Sequence, residues 1–279
     1  MQTGQPSQTA LSAAAARAAH LVVDHEPHLF RDTLAAKLLG DLAAETIAYH
    51  RTHGDHVILS GTRALTTTRS HYTESHLPRN RPSRYIILGA GLDTFAYRTA
   101  PDRDIQVIEI DHPATQEWKR TLLASADIPI PDHLTFLPTD FESEPLPEIP
   151  TTPLPTLVSW LGVSMYLTLE AIESTIAAIS RLGPGTEFIM EYALPPDLRD
   201  TIGKTYADFA TQVVSDRHEP YLTFLHPDEV STLLETHGFV VTEHVPMQAT
   251  VPPHLWTRSD ALRPFNFFHL TKAKIKPRT

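Results

Sequence analysis

Two short motifs in the middle of the chain have the residue types and spacing of a nucleoside-binding site. Gly89 and Gly91 follow an apolar run, where the chain must turn sharply and a ligand can approach the backbone closely. About 20 residues further on, a second apolar run ends in Glu109 and Asp111, and a carboxylate there can accept hydrogen bonds from both ribose hydroxyls. These two acids share one face of a strand, so we expect Asp111 to meet the ligand and Glu109 to form a neighbouring salt bridge.

An acidic group and an aromatic ring follow the next apolar run, at Asp140 and Phe141, where an adenine would lie in such a sheet. Polar groups after three successive strands match the rule that open α/β sheets bind ligands outside the carboxyl ends of their strands. A nicotinamide-binding fingerprint would need a third glycine at position 94, which is Thr94. The motif therefore disfavours a dehydrogenase, which stays as an alternative.

The elements that must position these motifs alternate between strands and helices. Apolar runs predict strands at 84–91, 105–111, 133–140, 186–192, 239–245 and 265–273, and a further strand with its exit loop within 156–167. Periodic apolar positions and their end signals predict helices at 113–126, 169–182, about 197–217 and 227–237. Residues 9–53 predict two or three helices before any sheet. This alternation indicates a mostly parallel sheet covered on both faces.

Composition excludes several classes of function. A chain of 279 residues predicts one large domain, and the absence of cysteine excludes disulfides, cysteine-ligated metals and thiol catalysis. Acidic residues outnumber basic ones by 33 to 23, which disfavours nucleic acid as a partner. No apolar run approaches the roughly 18 residues of a membrane span, and no basic residue precedes the first apolar segment, so we expect a cytoplasmic protein that binds no membrane.

Histidines provide the only metal hypothesis that the sequence offers. His50, His53 and His56 are three residues apart, but no carboxylate pattern completes a site, so exposed or capping histidines are expected and no metal is predicted.

Five segments, in order, resemble one known family. They are TTTRSHY, RYIILGAGLDTFAYR, VIEIDHPATQEWKR, PTDFE and SWLGVSMYLTLEAI. They are similar to the leucine carboxyl methyltransferase superfamily of class I S-adenosylmethionine-dependent methyltransferases, and in particular to its bacterial O-methyltransferases of the polyketide-synthesis type. The resemblance implies a Rossmann-like α/β fold with a seven-stranded, mostly parallel sheet and an antiparallel last strand. It implies S-adenosylmethionine as cofactor and S-adenosylhomocysteine as product.

The resemblance also implies which residues bind the cofactor. Arg69 would pair with its methionine carboxylate, and Asp111, with His112 beside it, would hold the ribose. Asp93 could contact the cofactor or cap the helix that follows. Many relatives carry Glu-Gly after the fourth strand, whereas this chain has Leu161 in place of the glutamate, so backbone carbonyls there would replace the polar contact. The remaining residues assigned to the cofactor are Gly89, Ala90, Gly91, Asp140, Phe141, Trp160 and Leu161.

The methyl acceptor is expected at the same strand ends, with Tyr166 lining its pocket. A carboxylate acceptor needs no general base, whereas a hydroxyl would be helped by His71 or His218. We expect one methyltransferase domain over 1–279, with an N-terminal helical cap (1–80), a core (84–279) and a lid insertion at about 195–225.

The expected activity is O-methylation of a small-molecule carboxylate or hydroxyl in bacterial secondary metabolism. Carbon or nitrogen methylation of an electron-rich heterocycle, and a non-catalytic cofactor-binding module, are alternatives. The sequence leaves a homo-oligomer open.

Overall fold

The computed structural model describes residues 7–78, 81–99 and 103–277, which are built around one seven-stranded sheet. The strands are β1 (Ser83–Leu88), β2 (Ile105–Asp111), β3 (Leu134–Pro138), β4 (Thr156–Trp160), β5 (Glu187–Ala193), β6 (Phe239–Pro246) and β7 (Phe268–Ile275). Their order in the sheet is β3-β2-β1-β4-β5-β7-β6. Strands β1 to β5 are parallel, whereas β7 is antiparallel to both β5 and β6. The predicted fold class is confirmed.

The middle of the sheet is buried on both faces, which explains why its strands are continuous apolar runs. Every residue of β1 and of β4 is buried. Ile86 in β1 lies opposite Ile108 of β2 and Val158 of β4. β-Branched side chains of this kind pack well on a pleated surface that water does not reach.

Nine α-helices lie in the described part of the chain, four of them before the sheet. They are α1 (Gln8–Val23), α2 (Ala35–Leu39), α3 (Asp41–His53), α4 (Val57–Ser75), α5 (Phe95–Arg98), α6 (Pro113–Ser125), α7 (Leu169–Ile179), α8 (Thr201–Asp216) and α9 (Pro227–Thr236). None of these helices is both long and apolar enough to cross a membrane. Residues 1–6 and 79–80 of the predicted cap lie outside the described residues.

The sequence patterns did not predict helix α4 in its own right. Three consecutive threonines in its middle have low helix propensity, because β-branched side chains lose rotamer freedom in a helix. In the structure each hydroxyl donates to the carbonyl four residues earlier, at 2.8 Å for Thr66, 2.6 Å for Thr67 and 2.7 Å for Thr68. These bonds satisfy the hydroxyls inside the helix.

Buried ion pairs attach the N-terminal helices to the turn after β1. The Asp32 carboxylate accepts from Nε of Arg17 at 2.8 Å and from the Thr94 hydroxyl at 2.6 Å. Arg17 also donates to the carbonyl of Leu92 at 2.7 Å. Burial would raise the pKa of Asp32, but the Arg17 and Arg98 guanidiniums outweigh burial and hold that pKa below its usual value. The cap and the glycine turn are therefore joined by charged groups.

Candidate functional site

A cavity of about 1020 Å³ lies at the carboxyl ends of the parallel strands, under the N-terminal helices and α8. Its volume is at the upper end of the range of about 300 to 1,000 Å³ that is usual for ligand sites, so it has room for two ligands side by side. Ten residues assigned to the cofactor from the sequence line it, namely Arg69, Gly89, Ala90, Gly91, Asp93, Asp111, His112, Asp140, Phe141 and Leu161. Tyr166 lines it as well.

Two glycines allow the backbone to pass close to this cavity. Gly89 has φ +65°, and a Cβ atom there would overlap Cγ2 of Val163. Gly162 has φ +70°, and a Cβ atom there would lie 2.7 Å from Nη1 of Arg69. Positive φ values and the lack of space together require glycine at both positions. The turns after β1 and β4 thus pack tightly against Val163 and Arg69, and only glycine allows this backbone course.

The Asp111 carboxylate lies at the end of β2 and fixes the glycine turn. It accepts hydrogen bonds from the backbone N–H of Gly91 and, at 2.6 Å, from that of His112. Burial raises the pKa of Asp111, although these two backbone donors oppose the rise. A carboxylate has about four lone-pair sites, so Asp111 can still accept from two ligand hydroxyls.

Glu109 is placed differently from Asp111, although both lie on β2. Its carboxylate forms a 2.6 Å ion pair with Lys119 of α6, and both side chains are 1% exposed. Burial raises the pKa of Glu109 to about 7, and Lys119 opposes that rise. The salt bridge expected for one of the two acids is therefore formed by Glu109, and Asp111 is the acid that lines the cavity.

Three other polar residues of the lining make local hydrogen bonds that set their orientation. Asp93 accepts from the N–H of Phe95, the first residue of α5, at 2.7 Å, which is the local role considered for it. The His112 ring caps α6 by accepting from Ala114 at 3.2 Å. The Asp140 carboxylate accepts from the N–H of Glu142 at 3.1 Å. Each side chain is held in place before any ligand arrives.

Arg69 reaches the cavity from α4 and is paired with an acid that the sequence did not single out. Its Nη1 donates to Glu191 of β5 at 2.6 Å, with side-chain exposures of 14% and 1%. Burial raises the pKa of Glu191, and Arg69 opposes this rise. The other guanidinium nitrogens of Arg69 make no hydrogen bond to the described residues. Arg69 can therefore donate to a second anion from a position that Glu191 fixes.

Tyrosines form the wall of the cavity between the strand ends and α8. The rings of Tyr166 and Tyr221 lie 5.2 Å apart, and the hydroxyl of Tyr206 lies 3.0 Å from Oγ1 of Thr62. Burial raises the pKa of all three tyrosines, that of Tyr206 to about 12. The phenols therefore stay protonated at neutral pH and act as hydrogen-bonding groups, not as bases.

Three sequence-based assignments are corrected by the structure. The indole of Trp160 is fully buried in the core, where its ring centroid lies 6.2 Å from that of Phe141 and 6.4 Å from that of Phe188. Trp160 does not line the cavity. His71 lies on α4 two residues beyond Arg69, which is about 200° around the helix, and it is also outside the lining. His218 is exposed and outside the lining. Neither histidine is placed to act as a base in this cavity.

His50 differs from the exposed or capping histidine that was expected. Its Nδ1 lies 3.1 Å from Nη1 of Arg63, whose guanidinium is held by two hydrogen bonds to Asp24. Burial and the positive charge of Arg63 lower the pKa of His50 to about 4. His53 is exposed and His56 caps α4, as expected. Among the described residues no three His, Asp or Glu side chains form a group that could hold a metal ion.

We expect the His50→Gln variant to resist acid better than the wild type. The folded-state pKa of His50 is about 4 and the ordinary value is 6.5, so below pH 6.5 the unfolded chain takes up a proton that the folded chain does not. The free energy of unfolding then falls by about 2 kcal/mol between about pH 7 and pH 5 because of this residue. Urea unfolding at both pH values measures the loss of unfolding free energy in each protein. Equal losses in the wild type and the variant would contradict a lowered pKa for His50.

A latch joins the start of α1 to the loop after α8. The Glu219 carboxylate accepts from the N–H of Thr9 at 3.1 Å, and Arg217 donates to the Ser12 hydroxyl at 2.5 Å. All four residues line the cavity. The first turn of a helix has unsatisfied N–H groups, and a carboxylate there is favourable. The cap and the insertion therefore meet over the cavity, where the lid was expected.

Replacing Glu219 by alanine should loosen this latch. Loss of a hydrogen bond to a charged acceptor should make the Thr9 amide exchange with solvent about tenfold faster or more. Hydrogen exchange followed by mass spectrometry measures this rate in the α1 peptide. Glu45→Ala is the matched control, because Glu45 is an exposed acid that lines the same cavity from α3. Equal exchange in both variants would exclude the latch.

Comparison with known proteins adds the family context. The model of the leucine carboxyl methyltransferase family matches residues 10–180, a segment that includes β1 to β4 and the glycine turn. One curated relative is "Putative S-adenosyl-L-methionine-dependent methyltransferase YktD" of Bacillus subtilis (strain 168), 33% identical over 199 residues. The alignment covers 69% of this chain and 66% of the relative, slightly less than two thirds of the relative's length.

Solved structures are similar to this chain in fold. A possible exported protein from Bordetella parapertussis is 12% identical, with a TM-score of 0.53, and the match covers 97% of this chain and 95% of that one. The glycopeptide N-methyltransferase MtfA is 16% identical with a TM-score of 0.49, covering 77% of this chain and 96% of that one. The first likeness shows a common fold, and the second is too weak to support an argument.

Proposed function

This chain belongs to the leucine carboxyl methyltransferase family, and we propose that it transfers a methyl group from S-adenosylmethionine to a small molecule. One observation carries the proposal. A single cavity brings together the glycine turn after β1, the Asp111 carboxylate and the Arg69 guanidinium. O-methylation of a carboxylate or hydroxyl, and a role in bacterial secondary metabolism, are finer parts of the proposal, and the resemblance of the motifs supports them.

The residues of the cavity fit the cofactor. Gly89 and Gly162 line the cavity, and Val163 and Arg69 occupy the space that a Cβ atom of either residue would need, so glycine keeps both turns in this course beside the ligand. Asp111 accepts from the ribose hydroxyls, Phe141 offers a face to the adenine, and Arg69 pairs with the methionine carboxylate. Asp93 and His112 complete the lining next to the ribose.

Methyl transfer depends more on the positioning of the acceptor than on proton transfer. When bound, S-adenosylmethionine would supply a methyl group on a sulfonium: the acceptor atom would form a bond to the methyl carbon in line with the breaking C–S bond, and the thioether of S-adenosylhomocysteine would leave. The protein holds the acceptor near contact distance and excludes water, and such positioning contributes about 7 to 11 kcal/mol to lowering the barrier. The cap and the insertion form the roof that excludes water, with the Glu219 latch at their junction.

Calorimetric titration with S-adenosylmethionine, S-adenosylhomocysteine and NADH in parallel tests the proposal. We expect the first two to bind and NADH not to bind, since the buried Thr94 replaces the third glycine and donates to Asp32. Product formation from labelled S-adenosylmethionine then distinguishes an enzyme from a binding module. Binding of NADH alone would overturn the proposal in favour of an oxidoreductase.

A further inference from the structure

The cavity continues beyond the cofactor residues along one face of α4. Ile58, Thr62, Leu65 and Arg69 follow one another at helical spacing on this face, and all line the cavity. From Ile58 to Arg69 the helix rises about 16 Å, so the lining extends well past the point where Arg69 would bind the cofactor carboxylate. We call the part of the cavity between Arg69 and Ile58 the acceptor half. Its opposite walls come from α3, α8, the loop after α8 and the turn after β4, and include Tyr166, Tyr206, Ala210, Val213, Val214 and Tyr221.

Among the described residues, Arg217 is the only arginine of the lining that has no carboxylate partner. Arginine is the only basic residue type besides histidine in the lining, at Arg17, Arg69 and Arg217. Arg17 is bound to Asp32 and to the Leu92 carbonyl, and Arg69 is bound to Glu191 and lies at the cofactor end. Arg217 is exposed, and its Nη1 donates to two uncharged partners, the Ser12 hydroxyl and the Gln8 carbonyl. A carboxylate placed deep in the acceptor half, away from the exposed Arg217, would lose its hydration and find no cation.

Acidic groups strengthen this selection against anions. The lining contains six carboxylates, at Glu45, Asp93, Asp111, Asp140, Glu142 and Glu219, against three arginines. The cavity is therefore negative overall and would repel a carboxylate at its mouth as well as inside. An uncharged molecule meets neither obstacle.

The geometry around His50 fixes which of its ring nitrogens carries the proton. Arg63 has only donors, so the His50 Nδ1 atom, 3.1 Å from Nη1, must accept. In a neutral ring the proton is then on Nε2. Nε2 makes no hydrogen bond to a described residue and is not among the buried atoms that lack a partner. His50 itself is 6% exposed and lines the cavity, so its Nε2–H is available there.

We infer that the acceptor half binds an uncharged, largely apolar molecule through a hydrogen bond from Nε2–H of His50 to an oxygen atom of that molecule. The inference rests on the proposed function and makes it more specific, because it favours an uncharged methyl acceptor over an anionic one. Arg63 and Asp24 act as positioning residues for His50. Apolar side chains and the tyrosine rings of the acceptor half contact the rest of the molecule.

Three naphthols that carry an acetyl, an ethyl or a carboxylate group at the same ring position test the inference. Each is titrated calorimetrically into protein saturated with S-adenosylhomocysteine. We expect the acetyl compound to bind about fivefold more tightly than the ethyl compound, because the acetyl substituent has an oxygen that accepts a hydrogen bond and the ethyl substituent has none. We expect the carboxylate to bind at least about 20-fold more weakly than the acetyl compound. Tightest binding by the carboxylate, or no binding by any of the three, would overturn the inference.

Two variants assign the preference to His50. In His50→Leu the acetyl and ethyl compounds should bind equally, whereas His50→Gln should keep the preference, because its carbonyl can accept from Arg63 while its amide donates to the ligand. Binding of S-adenosylhomocysteine should be the same in all three proteins. A preference for acetyl that persists in a folded His50→Leu protein would exclude the contact.

Nuclear magnetic resonance of histidine labelled with nitrogen-15 gives a second readout that needs no variant. The His50 signals should show a neutral ring with the proton on Nε2, and that signal should move when the acetyl compound binds. A ring with the proton on Nδ1 would overturn the inference. Failure of S-adenosylhomocysteine to bind the wild type would instead overturn the proposed function, so the two failures are distinguishable.

Discussion

Replacement of Asp111 by alanine should weaken S-adenosylmethionine binding by about 10- to 150-fold. The carboxylate would supply charge-assisted hydrogen bonds to the ribose, and such bonds contribute about 1.5 to 3 kcal/mol. In this structure Asp111 also holds the backbone N–H groups of Gly91 and His112, so its loss releases the glycine turn that faces the same ligand. Both effects weaken the binding of S-adenosylmethionine. Isothermal titration of the folded variant measures the affinity directly.

A matched variant separates this local effect from a change in net charge. Asp132→Ala removes the same charge from an exposed position just before β3 that does not line the cavity, so cofactor affinity should not change. Unchanged affinity in Asp111→Ala would exclude Asp111 as the ribose ligand. Glu109, the neighbouring acid on β2, would then have to leave its ion pair with Lys119 to replace it.

Replacement of Glu191 by leucine should destabilise the protein by about 3 kcal/mol. The substitution leaves the Arg69 guanidinium, 14% exposed, without its carboxylate partner. Removing one partner of a buried pair costs about 3 to 5 kcal/mol, and we expect the lower end because Arg69 borders a cavity that water can enter. Urea unfolding monitored by circular dichroism measures the loss. A change below about 1 kcal/mol would show that the pair contributes little.

The double variant Arg69→Met, Glu191→Leu distinguishes structure from binding. Replacing both charges by apolar side chains removes the unpaired cation, so most of the lost stability should return. The double variant should nevertheless bind S-adenosylmethionine weakly, since Arg69 would no longer pair with the cofactor carboxylate. Recovery of stability without recovery of binding would show that the ion pair stabilises the fold and that Arg69 binds the cofactor. Recovery of both would exclude Arg69 from the cofactor site.

The sheet could be predicted from the sequence because burial leaves a local signal. The segment 105–111 is an apolar run, and it forms β2 with the bounds that were expected. The helix predicted to end at about Ala126 ends at Ser125. The glycines after β1 and the acids at the end of β2, Glu109 and Asp111, also stand at fixed offsets in these runs. These features depend on residues close together in the chain, which is why pattern and spacing were sufficient.

Side-chain direction and long-range pairing leave weaker signals in the sequence than burial does. Arg69 and Glu191 are separated by 122 residues, and no local pattern relates them. The base predicted at His71 was wrong for a reason that helical spacing could have revealed. Thr62, Leu65 and Arg69 share one face of α4, and a residue two positions after Arg69 points away from that face. The three threonines have low helix propensity, so the sequence pattern did not predict α4 and gave no helical face for His71.

His50 illustrates a further limit of sequence reasoning. Histidines three residues apart on α3 have the same local pattern, but His53 is exposed whereas His50 is buried against Arg63 of α4. The difference depends on how α3 packs against its neighbours, which spacing alone does not determine. The chemistry inferred for His50 therefore depends on its partners Arg63 and Asp24, which no local sequence pattern relates to it.

The position of β7 between β5 and β6 has a consequence for synthesis on the ribosome. β7 pairs with β5 on one side and with β6 on the other, although it follows both in the chain. Until residues 268–275 emerge, β6 has no partner strand in the sheet and β5 keeps an unpaired edge. Open edges of this kind can pair with other chains. The nascent protein thus depends on its last strand, and a ribosome that stalls before Phe268 would leave a product prone to aggregation.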